Sequence, residues 1–386
     1  LTSKLLRDVL KCRASSKSEE LAVAKSLINE YSHKFPAVRG MQAGRPCYIA
    51  MCPMRLVPKI FEFDGEEVPP EMRAQRVLNK ARIPEIADYL ISNQSDYTLS
   101  AITASINEQV HFEPMADTGP AVNMGMLTVS MSAQILINDG QHRRAAIEEA
   151  IKEAHELGHD NIPVLFFVDE GLQRAQQMFA DLNKHAVRPN DSLSTLYDHR
   201  DPNSELARYI VEKVDCFNRL TEMEKSSLSN RSSKLFTLSS IKLASRSLLR
   251  KSAKDSFTQE EKDLAVEYWS EVCANIPDWA AALKKEVSTA ELRKNYIHAH
   301  GVALQALGNA GADLISKRPK SWKPKIKNLK AIDWSRSNSE VWEGRALVYG
   351  KLSKARANVT LTANLIRQAF DLALEGDNLI LEEQFK

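Results

Sequence analysis

The sequence contains no run of about 18 uncharged apolar residues, the length a helix needs to cross a bilayer, so no membrane span is expected. Its five cysteines, Cys12, Cys47, Cys52, Cys216 and Cys273, form no CxxC pair and have no nearby Cys/His partners that would complete a zinc site. They read as reduced thiols of a cytosolic protein. Internal repeats and low-complexity tracts are absent as well. Net charge is nearly absent, at +2 over 386 residues. What remains is 43% hydrophobic and 26% charged, an ordinary globular composition with ample apolar content for a core. Two or three domains are expected for that length.

A near-zero net charge argues against nucleic acid as a partner only if the charge is evenly spread. It is not. Residues 1–45 carry nine basic and four acidic side chains, and residues 46–316 carry 29 and 38. Residues 317–356 carry 12 basic and three acidic, and residues 357–386 carry two and five. The balance conceals an acidic middle and a strongly basic segment near the C-terminus.

Apolar spacing predicts a helix over 19–33, in an N-terminal helical segment taken as 1–45. Short apolar runs over 46–63, broken by Pro53 and Pro58, suggest strands or extended edges. A helix is predicted over 71–92, with Pro84 in its tolerated early position. Strands are predicted over 98–106, 126–131, 135–138 and 162–168, and helices from 141 to about 157 and over 171–183. Alternation of strands and helices marks 46–199 as an α/β domain. From 200 to 386 the periodicity is helical, which predicts a helical, basic, DNA-contacting domain.

The strongest local signal is Asp139-Gly140-Gln141-His142-Arg143-Arg144, between a strand and a helix. A helix start offers free N–H groups and a partial positive charge. Gly140 permits a sharp turn and close backbone approach. Arg143 and Arg144 place cations where they oppose the helix dipole, and a bound phosphate would offset that. The plainer alternative is an Asp cap with exposed arginines. Asp181 and Asn183, in FADLN, are either helix-end polar residues or further ligand contacts.

Two acid-free basic runs follow. Residues 226–254 hold Arg231, Lys234, Lys242, Arg246, Arg250, Lys251 and Lys254, with Lys242, Arg246 and Arg250 spaced to share a helix face. Residues 317–330 include Lys320, Lys323, Lys325 and Lys327 around Trp322, and the prolines there predict an extended arm. Arg336, Arg345, Lys351, Lys354 and Arg356 continue the basic block. Such stripes are the electrostatic footprint of DNA contact, the alternative being a solvated face. Neither a helix-turn-helix nor a zinc motif is evident.

The DGQHR signature resembles that of ParB/sulfiredoxin-like domains. Longer segments, over 71–90, 137–148, 177–189, 231–241 and 341–362, resemble the DndB family of DNA sulfur-modification (phosphorothioation) proteins. The resemblance implies an α+β chain, a ParB/sulfiredoxin-like α/β domain followed by a mostly helical one. It implies a cytoplasmic repressor of the modification gene cluster that binds double-stranded promoter DNA, with other DNA sulfur-modification proteins as further partners. The ParB-like likeness implies a nucleotide pocket for ATP or another nucleotide with Mg²⁺ and no metal site of the protein's own. Arg76, Gly140, Gln141, His142, Arg143, Arg144, Asp181 and Asn183 would line it. The alternatives are a nucleotide hydrolase, with Asp139 placing Mg²⁺ and His142 stabilising charge or donating a proton, and a scaffold for the sulfur-transfer enzymes. ParB-like boxes usually carry Glu-Arg-Arg after the glycine, whereas this chain has Gln-His-Arg-Arg. That departure bears on nucleotide identity and on hydrolysis. An oligomer is compatible with repression, although no heptad marks a coiled coil.

Overall fold

The computed structural model describes residues 31–61, 80–168, 174, 177–178, 180–182, 189–251 and 255–385. The chain divides after residue 187 into two compact units, each with its own apolar core.

The first unit is built on a seven-stranded mixed sheet. Its strands are β1 (Ser32–Gln42), β2 (Arg45–Pro53), β3 (Ile102–Ile106), β4 (His111–Pro114), β5 (Met124–Ser130), β6 (Ile135–Asp139) and β7 (Asn161–Val168), in the order β4-β5-β1-β2-β7-β3-β6. Only β3 and β7 pair in parallel. Its helices include α1 (Val57–Ile60), α2 (Ile83–Ser92) and α3 (Gln141–Glu153), and the described residues between 174 and 182 are helical as well. β3 is buried at all five positions, as in a strand covered on both faces. α3 buries Ala146, Ile147 and Ala150, and it packs against α1 and α2.

Two expectations change here. Residues 32–42 lie in the segment expected to be helical, yet they form β1. Phe35 and Ala37 alternate inward, and both edges of the strand are paired, to β2 and to β5. Residues 57–60, within the 46–63 stretch expected to be extended, instead form the one-turn helix α1, with Pro58 in its tolerated first turn; residues 62 and 63 lie outside the described residues. Of the helix expected over 19–33, residues 19–30 lie outside the described residues, and 32–33 belong to β1.

The second unit is mostly helical. Its helices are α4 (Asp191–Tyr197), α5 (Pro202–Lys213), α6 (Asp215–Leu220), α7 (Leu238–Leu249), α8 (Gln259–Ala274), α9 (Pro277–Leu283), α10 (Thr289–Asn295), α11 (Gly301–Lys317), α12 (Lys323–Ile326), α13 (Ser339–Trp342), α14 (Arg356–Ala369) and α15 (Asp377–Phe385). Two ladders of two-residue strands join β8 (Thr221–Glu222) to β9 (Phe236–Thr237), and β10 (Leu347–Val348) to β11 (Lys351–Leu352). α11 is the central helix, packed on α7 and α14. A Cβ on Gly308 would stand 2.2 Å from the Ala244 carbonyl oxygen, so only glycine allows that approach of α7 and α11. Trp269, Trp279 and Trp342 are fully buried, and Trp269 donates to Ser245 Oγ at 3.0 Å.

Residues 317–330 are not the extended arm the prolines suggested. Pro324 occupies the tolerated first turn of α12, and a 3₁₀ turn follows over Lys327–Ala331. Trp322, Ile326 and Leu329 are buried and hold this segment on the core. The reduced-thiol expectation is also overturned in part, since Cys216 and Cys273 form a disulfide between α6 and α8. Cys47 and Cys52 are free and buried. No helix among the described residues is long and apolar enough to cross a membrane.

Candidate functional site

The DGQHR segment folds as strand, turn and helix. Gly140 has φ +110° and precedes the 13-residue α3, which no side chain caps and whose first turn carries no acid. A Cβ at Gly140 would meet Ile102 Cγ1 and Arg143 Nη2, each at 3.0 Å. The turn therefore requires glycine both for its dihedral and for its neighbours.

Its two arginines are engaged within the unit. Arg143 Nη2 donates to Asp139 Oδ2 at 2.6 Å and to the Ala101 carbonyl at 3.0 Å. Arg144 pairs with Glu148, one turn along α3, and donates to the Pro58 carbonyl at 2.7 Å. The charge offset that the sequence reading assigned to phosphate is thus supplied in large part by two carboxylates of the same unit. Gln141 is buried, and its Nε2 has no hydrogen-bond partner among the described residues. His142 is half-buried on the same turn. Asp181 is exposed and accepts from Gln177 Nε2 at 2.7 Å. Arg76 and Asn183 lie outside the described residues, as does Lys254. No group of three His, Cys, Asp or Glu able to hold a metal occurs among the described residues.

In the second unit the predicted DNA-facing cations separate into two groups. Several are tied into the fold. Lys242 pairs with Asp201 at 2.5 Å, Arg250 with Asp313, and Lys251 with Glu261 at 3.0 Å. Lys323 pairs with Glu267, and Lys325 with Asp371 at 2.5 Å. Lys234 donates to the Arg219 carbonyl at 2.7 Å. Arg345 is buried and forks onto Glu382, so it presents no cation to a partner. The run expected to share one helix face is split for a simple reason. Arg250 ends α7 in a left-handed conformation, which turns it out of the row formed by Lys242 and Arg246.

The second group is exposed and makes no ion pair among the described residues: Arg231, Arg246, Lys320, Lys327, Lys351, Lys354 and Arg356. Three of these, Lys351, Lys354 and Arg356, lie along the β10–β11 hairpin and the start of α14. At the hairpin tip Tyr349 is 94% exposed, with φ +50°. Glu343 braces this tip by accepting from the backbone N–H of Tyr349 and, at 3.1 Å, from that of Gly350. Arg336 braces its other side, donating through Nη2 to the Gly350 carbonyl at 3.1 Å. A bulky residue held in the left-handed region and left open to solvent is a costly arrangement that packing does not explain. Tyr349 carries no charge, and its only signal in the sequence is a Tyr-Gly pair between Leu347-Val348 and Lys351-Leu352.

Comparison with known proteins adds one finding. The family model described as DndB, DNA-sulfur modification-associated, matches residues 35–373, nearly the whole chain. No curated protein and no solved structure matches it.

Proposed function

The chain belongs to the DndB family of DNA-sulfur-modification-associated proteins, and from that premise we propose that it acts on DNA, as a repressor of the modification gene cluster. Other proteins of the modification system are its natural partners. The observation that carries this reading is the braced hairpin tip, where exposed Tyr349 stands beside Lys351, Lys354 and Arg356. Cations of that kind neutralise backbone phosphates, and an exposed aromatic gives a base or sugar a surface to stack on. A shift assay on the cluster's own promoter, titrated with salt, tests the reading. Binding should weaken steeply with salt, and the Lys351→Gln, Arg356→Gln double variant should lower the slope of log K against log salt by roughly 1.8. Salt-independent binding, or an unchanged slope in the variant, would overturn it. Repression itself is read by a promoter-reporter fusion with and without the protein.

A second reading is favoured by the unpartnered Gln141 amide. In it the ParB-like strand–turn–helix binds a nucleotide phosphate at the start of α3, with Gly140 allowing close backbone approach and His142 on the same turn. Gln141→Leu should then abolish nucleotide binding in calorimetry without unfolding the unit, and unchanged binding would remove this reading.

A further inference from the structure

A cavity of about 940 Å³ opens in the second unit, among the start of α7, the end of α10 and the start of α11. That volume suits a small-molecule site, typically about 300–1,000 Å³. Four cations line it, Arg293, Lys294, Arg336 and Lys354, against one carboxylate, Glu291. None of the four makes an ion pair among the described residues. Other cations of this unit, such as Lys242, Lys325 and Arg367, are paired with carboxylates.

The cationic wall is preorganised. Arg293 donates to the carbonyl oxygens of Ser229 at 3.0 Å, Ser232 at 2.9 Å and Lys234, and so holds the 229–234 loop at the rim. Arg336 Nη1 donates to the Lys294 carbonyl at 3.3 Å. His300 donates through Nε2 to the Arg293 carbonyl at 2.7 Å. Burial first, and then the charges of Arg336 and Lys354, hold this histidine down at about 4, so it stays neutral while the cleft remains positive.

The 17-residue helix α11 starts at the cleft with no side chain capping it. Its free N–H groups and positive dipole end add to the same field. A Cβ on Gly301 would lie 2.7 Å from Lys354 Nζ and 2.9 Å from Ser240 Oγ. Glycine there lets an ammonium and a hydroxyl converge on the first turn. The hydroxyls of Thr237 and Ser240, 2.8 Å apart, supply further donors, and Leu228, Leu235 and Leu304 supply apolar lining. An uncompensated cationic wall, hydroxyl donors and an open helix start are together the recognition chemistry of a phosphate group.

We propose that this cleft binds a phosphate ester of nucleotide size, with the phosphate held by Lys354, Arg336 and the first turn of α11. The site shares no residue with the DGQHR turn, and it shares only Lys354 with the cations assigned above to promoter DNA. The phosphate could be that of a free nucleotide or of a DNA backbone, and the test distinguishes them. Calorimetry on the full chain would use inorganic phosphate, ATP and a short duplex, with wild type, the Lys294→Gln, Lys354→Gln double variant, Arg143→Ala and Tyr349→Ala. ATP should bind saturably and compete with phosphate, and the double variant should weaken it at least tenfold with thermal unfolding unchanged. Arg143→Ala and Tyr349→Ala should leave it unaltered. If a duplex instead displaces phosphate, and the double variant abolishes this while Tyr349→Ala does not, the ligand phosphate is that of DNA. The proposal is overturned if neither ATP nor the duplex binds saturably, or if binding survives the double variant. Loss of promoter binding in Tyr349→Ala alone would bear on the hairpin and leave the cleft untouched.

Discussion

Arg345 and Glu382 form a two-pronged ion pair inside the second unit, both side chains being buried and Arg345 Nη1 standing 2.9 Å from Glu382 Oε2. Arg345 also donates to the Leu361 carbonyl at 2.8 Å, and its guanidinium lies 4.4 Å from the Phe385 ring centroid. The pair ties α15 to the segment before β10. Removing one partner of such a pair leaves a charge buried and unpaired, which costs about 3–5 kcal/mol. Glu382→Ala should therefore lower the unfolding free energy by about that amount in urea titration. A loss below about 1 kcal/mol would mean that the pair is not buried in solution.

Gly140→Ala should destabilise the first unit by about 1–3 kcal/mol, because alanine resists φ +110° and its Cβ would crowd Ile102 and Arg143. Chemical denaturation of this variant beside Gly125→Ala makes a useful comparison. At Gly125 a Cβ would stand 2.1 Å from the Glu113 carbonyl oxygen, a purely steric conflict with backbone.

Tyr349→Ala should weaken promoter binding by about 1–3 kcal/mol if the ring stacks on a base. Its thermal unfolding should stay near wild type, since the ring is 94% exposed. Tyr349→Gly should relieve the left-handed strain and stabilise slightly while losing the same affinity. Equal affinity in all three proteins would exclude a stacking role.

Acidification should destabilise the second unit between pH 6.5 and about 4. His300 has a folded pKa of about 4 against 6.5 when unfolded, so the unfolded chain takes the proton first. The stabilisation is complete above pH 6.5 and is lost as pH falls through that window, by at most about 3 kcal/mol. Buried His298, also lowered by burial, adds in the same direction. Asp278, held down by its 2.8 Å hydrogen bond from His298, loses its contribution only below the ordinary carboxylate range. Urea midpoints from pH 7.5 to 4.5 would measure this, and His300→Gln should flatten the profile.

The Cys216–Cys273 disulfide should leave two fewer reactive thiols than the five cysteines when the protein is denatured without reductant. Cys216→Ser should lower stability by roughly 2–4 kcal/mol, because the bridge closes a 57-residue separation. Detection of all five thiols would show the bond open in solution.

Much of the first unit was legible in the sequence. The runs ILIN and IPVLFFV announce β6 and β7, and AAIEEAIKEA announces α3, because period and composition act locally. β1 was missed because its inward positions are only Phe35 and Ala37, and neighbouring strands supply what its own pattern lacks. Of the candidate sites, the DGQHR turn was legible as a turn, since Gly140 can be read for its dihedral from its place between strand and helix. The fate of its arginines was not legible. Arg143 reaches the Ala101 carbonyl and Arg144 the Pro58 carbonyl, groups brought there only by the sheet and α1.

The same division holds for charge. Sequence alone determined that the cations are concentrated toward the C-terminus, because charge count is a property of the chain. Which of them remain available was decided by tertiary structure. Arg345 and Lys325 meet carboxylates distant in sequence, whereas Lys351 and Arg356 meet none among the described residues and Lys354 converges with Arg336 and Arg293 on one cleft. An ion pair depends on a separation of a few ångströms, and for residues far apart along the chain only folding sets that distance.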